Sequence, residues 1–344
     1  MRLTKMTVNY FRNFSQHTFS FNPFLTIVAG KNSVGKTNLL EAIFFCLRGH
    51  GFREEKEIEL IHTQAQKATV ELESSEKGES NTQKIILSST PVITKQCLFN
   101  KVKKRLHEYS IHSMPAIVFS PSFLYVIDGQ MHERRVFFDH IISHMSKTYK
   151  RRLGFYEQAL RKRNKLLEKI TDVYRLKEQL IFWDTYLIQE AHYITEKRSE
   201  VANWLNQYPL FDHTHFKLTY LQNEISKKTL IDTFEKQRLI KKTLVGPQRD
   251  TYELYIDGKN VHKYGSRSEQ RLTLFWIVMN EMRIYEEKLK QKTVVLLDDI
   301  FSELDITNKS LVLDIVKNHQ AVISTIEEEY VSHLPFEKTI IHLS

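Results

Sequence analysis

Gly30-Lys31-Asn32-Ser33-Val34-Gly35-Lys36-Thr37 follows the apolar run Leu25-Thr26-Ile27-Val28-Ala29. It precedes Asn38 to Leu47, where Leu39, Leu40, Ile43 and Phe44 fall at helical spacing. Gly-x-x-x-x-Gly-Lys-Thr between a buried strand and a helix is the pattern of a phosphate-binding loop, and each part has a physical task. The glycines let the backbone turn tightly. The loop N–H groups and the helix start offer positive ends to phosphate oxygens. Lys36 has the reach for the β- and γ-phosphates, and the Thr37 hydroxyl suits Mg²⁺. Only 10 of the 344 residues are glycine, so two at this spacing carry information. The expected nucleotide-binding set is Gly30, Lys31, Asn32, Ser33, Val34, Gly35, Lys36, Thr37 and Asn38.

Working outward, Val294-Val295-Leu296-Leu297-Asp298-Asp299 is a second apolar strand, ending in two carboxylates. Beside a phosphate loop such a strand delivers one acid to the metal and another to the attacking water. Asp298 is assigned to Mg²⁺ together with Thr37, and Asp299 to water activation, with Lys36 assisting the chemistry. The two halves of this site stand far apart in sequence, which predicts an insertion between them.

The insertion has its own texture. From about Glu133 to Gln207 the only glycine or proline is Gly154. Tyr149, Leu153, Tyr156, Leu160, Leu167 and Ile170 recur at helical spacing, with Arg163 interrupting. Leu180, Trp183, Leu187, Ala191, Ile194, Val201 and Leu205 form a second series. Two long amphipathic helices joined near Thr171 to Arg175 are predicted. Lys147, Lys150, Arg151, Arg152, Arg161, Lys162, Arg163 and Lys165 crowd the first, either as a solvated face or as a stripe that meets phosphates. Strands are predicted at Leu3 to Val8, Ala68 to Leu72, Lys84 to Leu87, Ala116 to Phe119 and Ala321 to Ser324. A hairpin is predicted at Tyr252 to Ile256 with Asn260 to Tyr264, and helices from Glu269 to Leu289 and Thr307 to Asn318. The expected architecture is α/β: a P-loop ATPase head with an antiparallel β subdomain, split by an inserted α-helical arm. Its expected boundaries are 1–125 for the first part of the head, 126–210 for the arm and 211–344 for the rest of the head.

Composition excludes other classes. Hydrophobic content of 41% with 26% charged residues describes a globular chain. No apolar run approaches the ~20 residues of a spanning helix, and Met1 to Tyr10 has no signal-peptide character. Cys46 and Cys97 alone make neither a disulfide framework nor a zinc site. A cytoplasmic protein with no membrane partner is expected. The net charge of +9 favours a polyanionic partner such as DNA.

Beyond the phosphate loop, Asn9-Tyr10-Phe11-Arg12-Asn13-Phe14, Gly49 to Arg53, Val118-Phe119-Ser120-Pro121 and Glu133-Arg134-Arg135-Val136-Phe137-Phe138-Asp139 stand out. So do the arm segment Tyr156 to Leu167, Val245-Gly246-Pro247-Gln248-Arg249-Asp250, and Leu296 to Asp305. Through these the chain resembles, nearly end to end, the RecF family of bacterial DNA repair proteins, ABC-type ATPases related to SMC heads. The resemblance implies ATP and Mg²⁺ as cofactors, an ATP-dependent homodimer, binding of double-stranded and gapped DNA, and slow hydrolysis. It also implies RecR and RecO as partners in loading RecA-type proteins. In such dimers a serine of the signature segment binds the γ-phosphate held by the other subunit, a role that falls here on Ser266, in trans.

The chain departs from the family at several points. The signature reads Ser266-Arg267-Ser268-Glu269-Gln270, without the usual glycine, and Ser266-x-x-Glu269 is equally a helix capping box. Ser33 replaces a common glycine, and Pro121-Ser122-Phe123-Leu124 lacks an acidic pair. Ser324 or Thr325 stands where many ABC proteins place a switch histidine. Ser302-Glu303-Leu304-Asp305 is placed like the loop that crosses an ABC dimer interface. The competing readings are a nucleotide-binding repair scaffold with little hydrolysis and an SMC-like or antiphage ATPase. The absence of a long coiled coil, a cysteine hook and a further C-terminal domain argues against the latter.

Overall fold

The structure is a computed structural model, and it describes all residues except 54–55, 77, 212, 304–314 and 327–336. The chain divides into two compact units. One comprises Met1–Phe123 with Ile277–Ser344, the other Leu124–Trp276.

The first unit holds a five-stranded parallel sheet in the order Lys338–His342, Leu25–Ala29, Ala321–Thr325, Val294–Leu297, Ala116–Phe119. Every residue of the four inner and far strands, from Leu25–Ala29 to Ala116–Phe119, is buried. That is why these strands read as continuous apolar runs rather than alternating ones. A six-stranded antiparallel sheet runs Phe14–Ser20, Arg2–Phe11, Lys67–Glu76, Glu79–Ser88, Thr94–Phe99, Val102–Lys104. In its second strand Leu3, Met6, Val8 and Phe11 are buried. The break from a two-residue period after Leu3 is a register shift against Lys67–Glu76, between Leu3 and Lys5. The helix Lys36–Arg48 packs against both sheets. It buries Leu39, Leu40, Ala42, Ile43, Phe44, Phe45, Cys46 and Leu47, which is almost its whole circumference.

In the second unit helices span Met131–Met145, Lys147–Lys169 and Val173–Leu205. The predicted joint falls at Ile170 to Asp172, where the Asp172 carboxylate caps the last helix by accepting from Arg175 N at 2.7 Å. A four-stranded sheet, ordered Lys259–Asn260, Thr251–Ile256, Thr214–Leu221, Leu210–Phe211, belongs to the same unit. The boundary with the first unit falls within the helix Arg267–Leu289. The second hairpin strand is shorter than predicted. Asn260 accepts from Lys263 N at 3.1 Å and so starts a helical turn, Val261–Tyr264, in place of a strand. Of the predicted helix Thr307 to Asn318, only the last turn lies within the described residues.

Two buried ionic networks organise this unit. Arg163, 1% exposed, donates from Nε to Asp184 Oδ1 and from Nη1 to Gln237 Oε1, both at 2.6 Å. It is therefore part of the interior and not of the basic stripe. Arg152 is likewise engaged, with Glu190 at 2.6 Å and over the Tyr193 ring. Lys147, Lys150, Arg151, Arg161, Lys162 and Lys165 remain exposed. Deeper still, Arg198 donates to Asp139 Oδ2 at 2.8 Å, Asp250 Oδ2 at 2.7 Å and Pro247 O at 2.7 Å. Tyr149 donates to Asp139 Oδ1 at 2.5 Å, the Tyr220 hydroxyl donates to Asp250, and Asn223 N donates to Asp250 Oδ1 at 2.8 Å. Burial works against the Arg198 charge, yet Asp139 and Tyr149 beside it hold its pKa well above the usual arginine range. Among the described residues no helix is long and apolar enough to cross a membrane.

Candidate nucleotide site

The parallel sheet brings the predicted site together at the carboxyl ends of its strands, where open α/β sheets bind ligands. A cavity of about 400 Å³ is lined by Asn32, Ser33, Gly35, Lys36, Thr37 and Asn38 of the loop and by Asp298 and Asp299 of the acidic strand. Gly30, Lys31 and Val34 take part through their backbones. Lys36 Nζ donates to Gly30 O at 2.7 Å and Lys31 O at 2.8 Å, while Val34 O accepts from Asn13 Nδ2 at 3.0 Å. Burial lowers the Lys36 pKa, and the charges of Asp299 and Asp298 oppose that effect.

Asp298 is the centre of the arrangement. Its Oδ1 accepts from Thr37 Oγ1 at 2.9 Å, across 261 positions of sequence, and from Ser324 Oγ at 2.7 Å. Its Oδ2 accepts from Ser120 Oγ at 3.1 Å. The strand order explains this convergence. Ala321–Thr325 lies between the loop strand and the acidic strand, with Ala116–Phe119 on the far side. Ser324 near the end of the middle strand, Ser120 just past the far one and Thr37 at the start of the helix after the loop therefore meet one carboxylate. Ser324 Oγ also accepts from Asp299 N at 2.9 Å, and Asp299 sits at φ 50°. That left-handed turn separates the two aspartates, so the second departs in a different direction from the first. A carboxylate and a hydroxyl 2.9 Å apart are the hard oxygen donors that suit Mg²⁺. Such an ion uses one or two carboxylates and takes the rest of its shell from phosphate and water, so these residues fit it.

A second set of side chains stiffens the loop. Asn13 Oδ1 accepts from Asn38 Nδ2 at 2.7 Å, and Asn38 Oδ1 accepts from Arg53 Nη2 at 2.6 Å. Arg53 and Arg12 both pair with Glu41, whose side chain is wholly buried, at 2.9 and 2.8 Å. Arg53 also lines the cavity. Gly35 has φ 110°, and a Cβ there would lie 2.5 Å from Asn13 Nδ2. Gly35→Ala is thus expected to strain the turn and displace Asn13. Binding of a fluorescent ATP analogue, read by titration, should weaken about five- to a hundredfold, on the ~1–3 kcal/mol cost of such a backbone.

Sequence reasoning found the loop and both aspartates but gave no role to Ser120, Arg53, Asn13 or Ser324. A local signal was present for Ser120, which directly follows a wholly apolar strand as the loop itself does, whereas Ser324 lies within its strand. Ser266 lies in the second unit and completes the capping box. Glu269 N donates to Ser266 Oγ at 3.3 Å and Ser266 N to Glu269 Oε2 at 2.6 Å. Glu269 also pairs with Lys259. Ile300–Glu303 forms a helical turn after the acidic strand, and Leu304 and Asp305 lie outside the described residues.

A parallel sheet with a phosphate loop and an acidic strand around one inserted neighbour, joined to an antiparallel sheet, defines an ABC-type P-loop ATPase head. The chain belongs to the RecF family: the family described as RecF/RecN/SMC N terminal domain matches residues 2–340. A DNA replication and repair protein RecF from Acetivibrio thermocellus is 29% identical over 96% of this chain and 94% of that protein. A solved structure of the recombination mediator protein RecF-ATP in the RecFOR pathway is 26% identical, with a TM-score of 0.81 over 94% of this chain and 91% of that one. The Smc head domain of Pyrococcus furiosus, solved with the C-terminal domain of ScpA, shares the fold at 17% identity, TM-score 0.52, over 96% and 91%.

Proposed function

We propose that this chain is an ATP-binding protein of DNA replication and repair that closes as a dimer on duplex DNA near single-strand gaps and reopens after slow hydrolysis. The observation that carries this reading is the hydrogen bond between Thr37 and Asp298, which assembles both halves of a nucleotide site within one chain. The relatives' descriptions as DNA replication and repair proteins, and the RecF-ATP structure, support the ligand and the process. In this scheme Lys36 leaves the loop carbonyls for the β- and γ-phosphates. Thr37 and Asp298 hold Mg²⁺, which when bound neutralises phosphate charge. Asp299 orients the attacking water, and Ser266 of a second copy contacts the γ-phosphate. The exposed lysines and arginines of Lys147–Lys169 supply phosphate contacts. Partnership with RecR and RecO in loading RecA-type proteins at gaps belongs to the same proposal, as does a cytoplasmic location.

Sedimentation tests the coupling. ATP with Mg²⁺ is expected to convert monomer to dimer at micromolar concentration and to raise retention on duplex DNA. A chain that stays monomeric with saturating ATP would remove the basis of the clamp. A scaffold that binds ATP and hardly hydrolyses it is favoured by one observation: Ser266 and Glu269 are engaged with each other in the capping box of a signature that lacks glycine. Steady-state phosphate release separates the two readings, since stimulation by duplex DNA is expected only of the clamp.

A further inference from the structure

The second unit carries a hollow of about 610 Å³ between the helix Val173–Leu205 and the short helices Lys227–Asp232 and Phe234–Ile240. Its floor is apolar, formed by Leu180, Ile188, Leu230 and Phe234, with Ile181 and Ile231 on its walls. Those two isoleucines are 65% and 73% exposed. Single exposed apolar residues are ordinary on a protein surface, but here they converge on one hollow.

The charges around it are unequal. Both lining carboxylates have a cationic partner, Asp184 the buried Arg163 at 2.6 Å and Glu235 the exposed Arg238 at 2.8 Å. Lys177 and Lys227 also line the hollow, and among the described residues neither has a carboxylate partner. Lys177 lies only over the Phe234 ring, 5.1 Å from its centroid. The uncompensated charge of the groove is therefore positive. Along Val173–Leu205 the lining runs from Lys177 to Ile188, about 16 Å of helix axis, or three turns. The walls are helices and present no strand edge, so an extended strand would find no ladder to join, whereas a helix needs only side-chain contacts.

We propose that this groove docks an amphipathic helix of another protein, apolar along one face and acidic along its margins. The proposal is independent of the nucleotide site. It is tested on the full chain with a fluorescein-labelled peptide of leucines at helical spacing with glutamates between them, and with its twin carrying lysines in place of the glutamates. Saturable anisotropy is expected with the acidic peptide, and binding at least about tenfold weaker with the basic one. Ile231→Asp, at an exposed position, is expected to weaken the acidic peptide about tenfold without shifting the urea midpoint. Lys177→Glu combined with Lys227→Glu is expected to reverse the preference. Equal binding of the two peptides, or a response unchanged by Ile231→Asp, would overturn the proposal. So would nucleotide-free self-association that Ile231→Asp abolishes, because the groove would then belong to a second copy of this chain.

Discussion

Lys36→Ala is expected to cost at least about a hundredfold in ATP affinity and to abolish ATP-dependent retention on duplex DNA. The Lys36 ammonium already sits inside the loop, 2.7 and 2.8 Å from two carbonyl oxygens. Bound phosphates would replace those carbonyls as its acceptors. Hydrogen bonds to a charged group contribute ~1.5–3 kcal/mol each, and two of them lost correspond to about two to four powers of ten. Burial has already lowered the pKa of this lysine, so part of its desolvation is incurred before the ligand arrives. Titration with a fluorescent ATP analogue reads the affinity, and a filter-retention assay with ATP reads the coupling. Retention as strong as in the parent chain would sink the link between nucleotide and DNA.

Asp250→Ala is expected to destabilise the second unit by about 3–5 kcal/mol, the usual consequence of removing one partner of a buried ion pair. Asp250 is completely buried and receives hydrogen bonds from Arg198, Tyr220 and the Asn223 backbone. Without it the Arg198 guanidinium keeps Asp139 but loses half its countercharge. Arg249, its neighbour in sequence, is exposed, and Arg249→Ala should change stability little. Urea unfolding followed by intrinsic fluorescence distinguishes the two, and equal midpoints for both variants would contradict the structural reading of this segment.

The head was largely legible because its signals are local. An apolar strand, a glycine-bounded loop and an apolar helix follow one another without interruption from Leu25 to Leu47. The acidic pair after Val294–Leu297 was equally plain, and the arm helices announced themselves by spacing and by the lack of glycine and proline. What the pattern did not convey was which charges face inward. Arg163 breaks an apolar series, and only the fold supplies Asp184, Gln237 and Thr243 to receive it. Asp139 and Asp250 sit in segments that look made for chemistry, yet in the structure they serve to hold one arginine. Ser120 and Ser324 are ordinary serines in sequence; they acquire meaning only when two further strands flank the acidic one. The turn at Val261–Tyr264 was misread because one asparagine cap outweighed a β-like composition.

The order of those strands also bears on biosynthesis. Thr37 leaves the ribosome 261 residues before Asp298, and the strand that carries Ser324 follows later still. At about 5–20 residues per second, roughly 13–50 s pass before the carboxylate can meet the hydroxyl. Throughout that interval the nascent chain carries the loop on a strand whose parallel neighbours, Ala321–Thr325 and Lys338–His342, have yet to be made. The complete site, with its hydroxyl and carboxylate together, is therefore offered only by a head whose synthesis has reached its last strands.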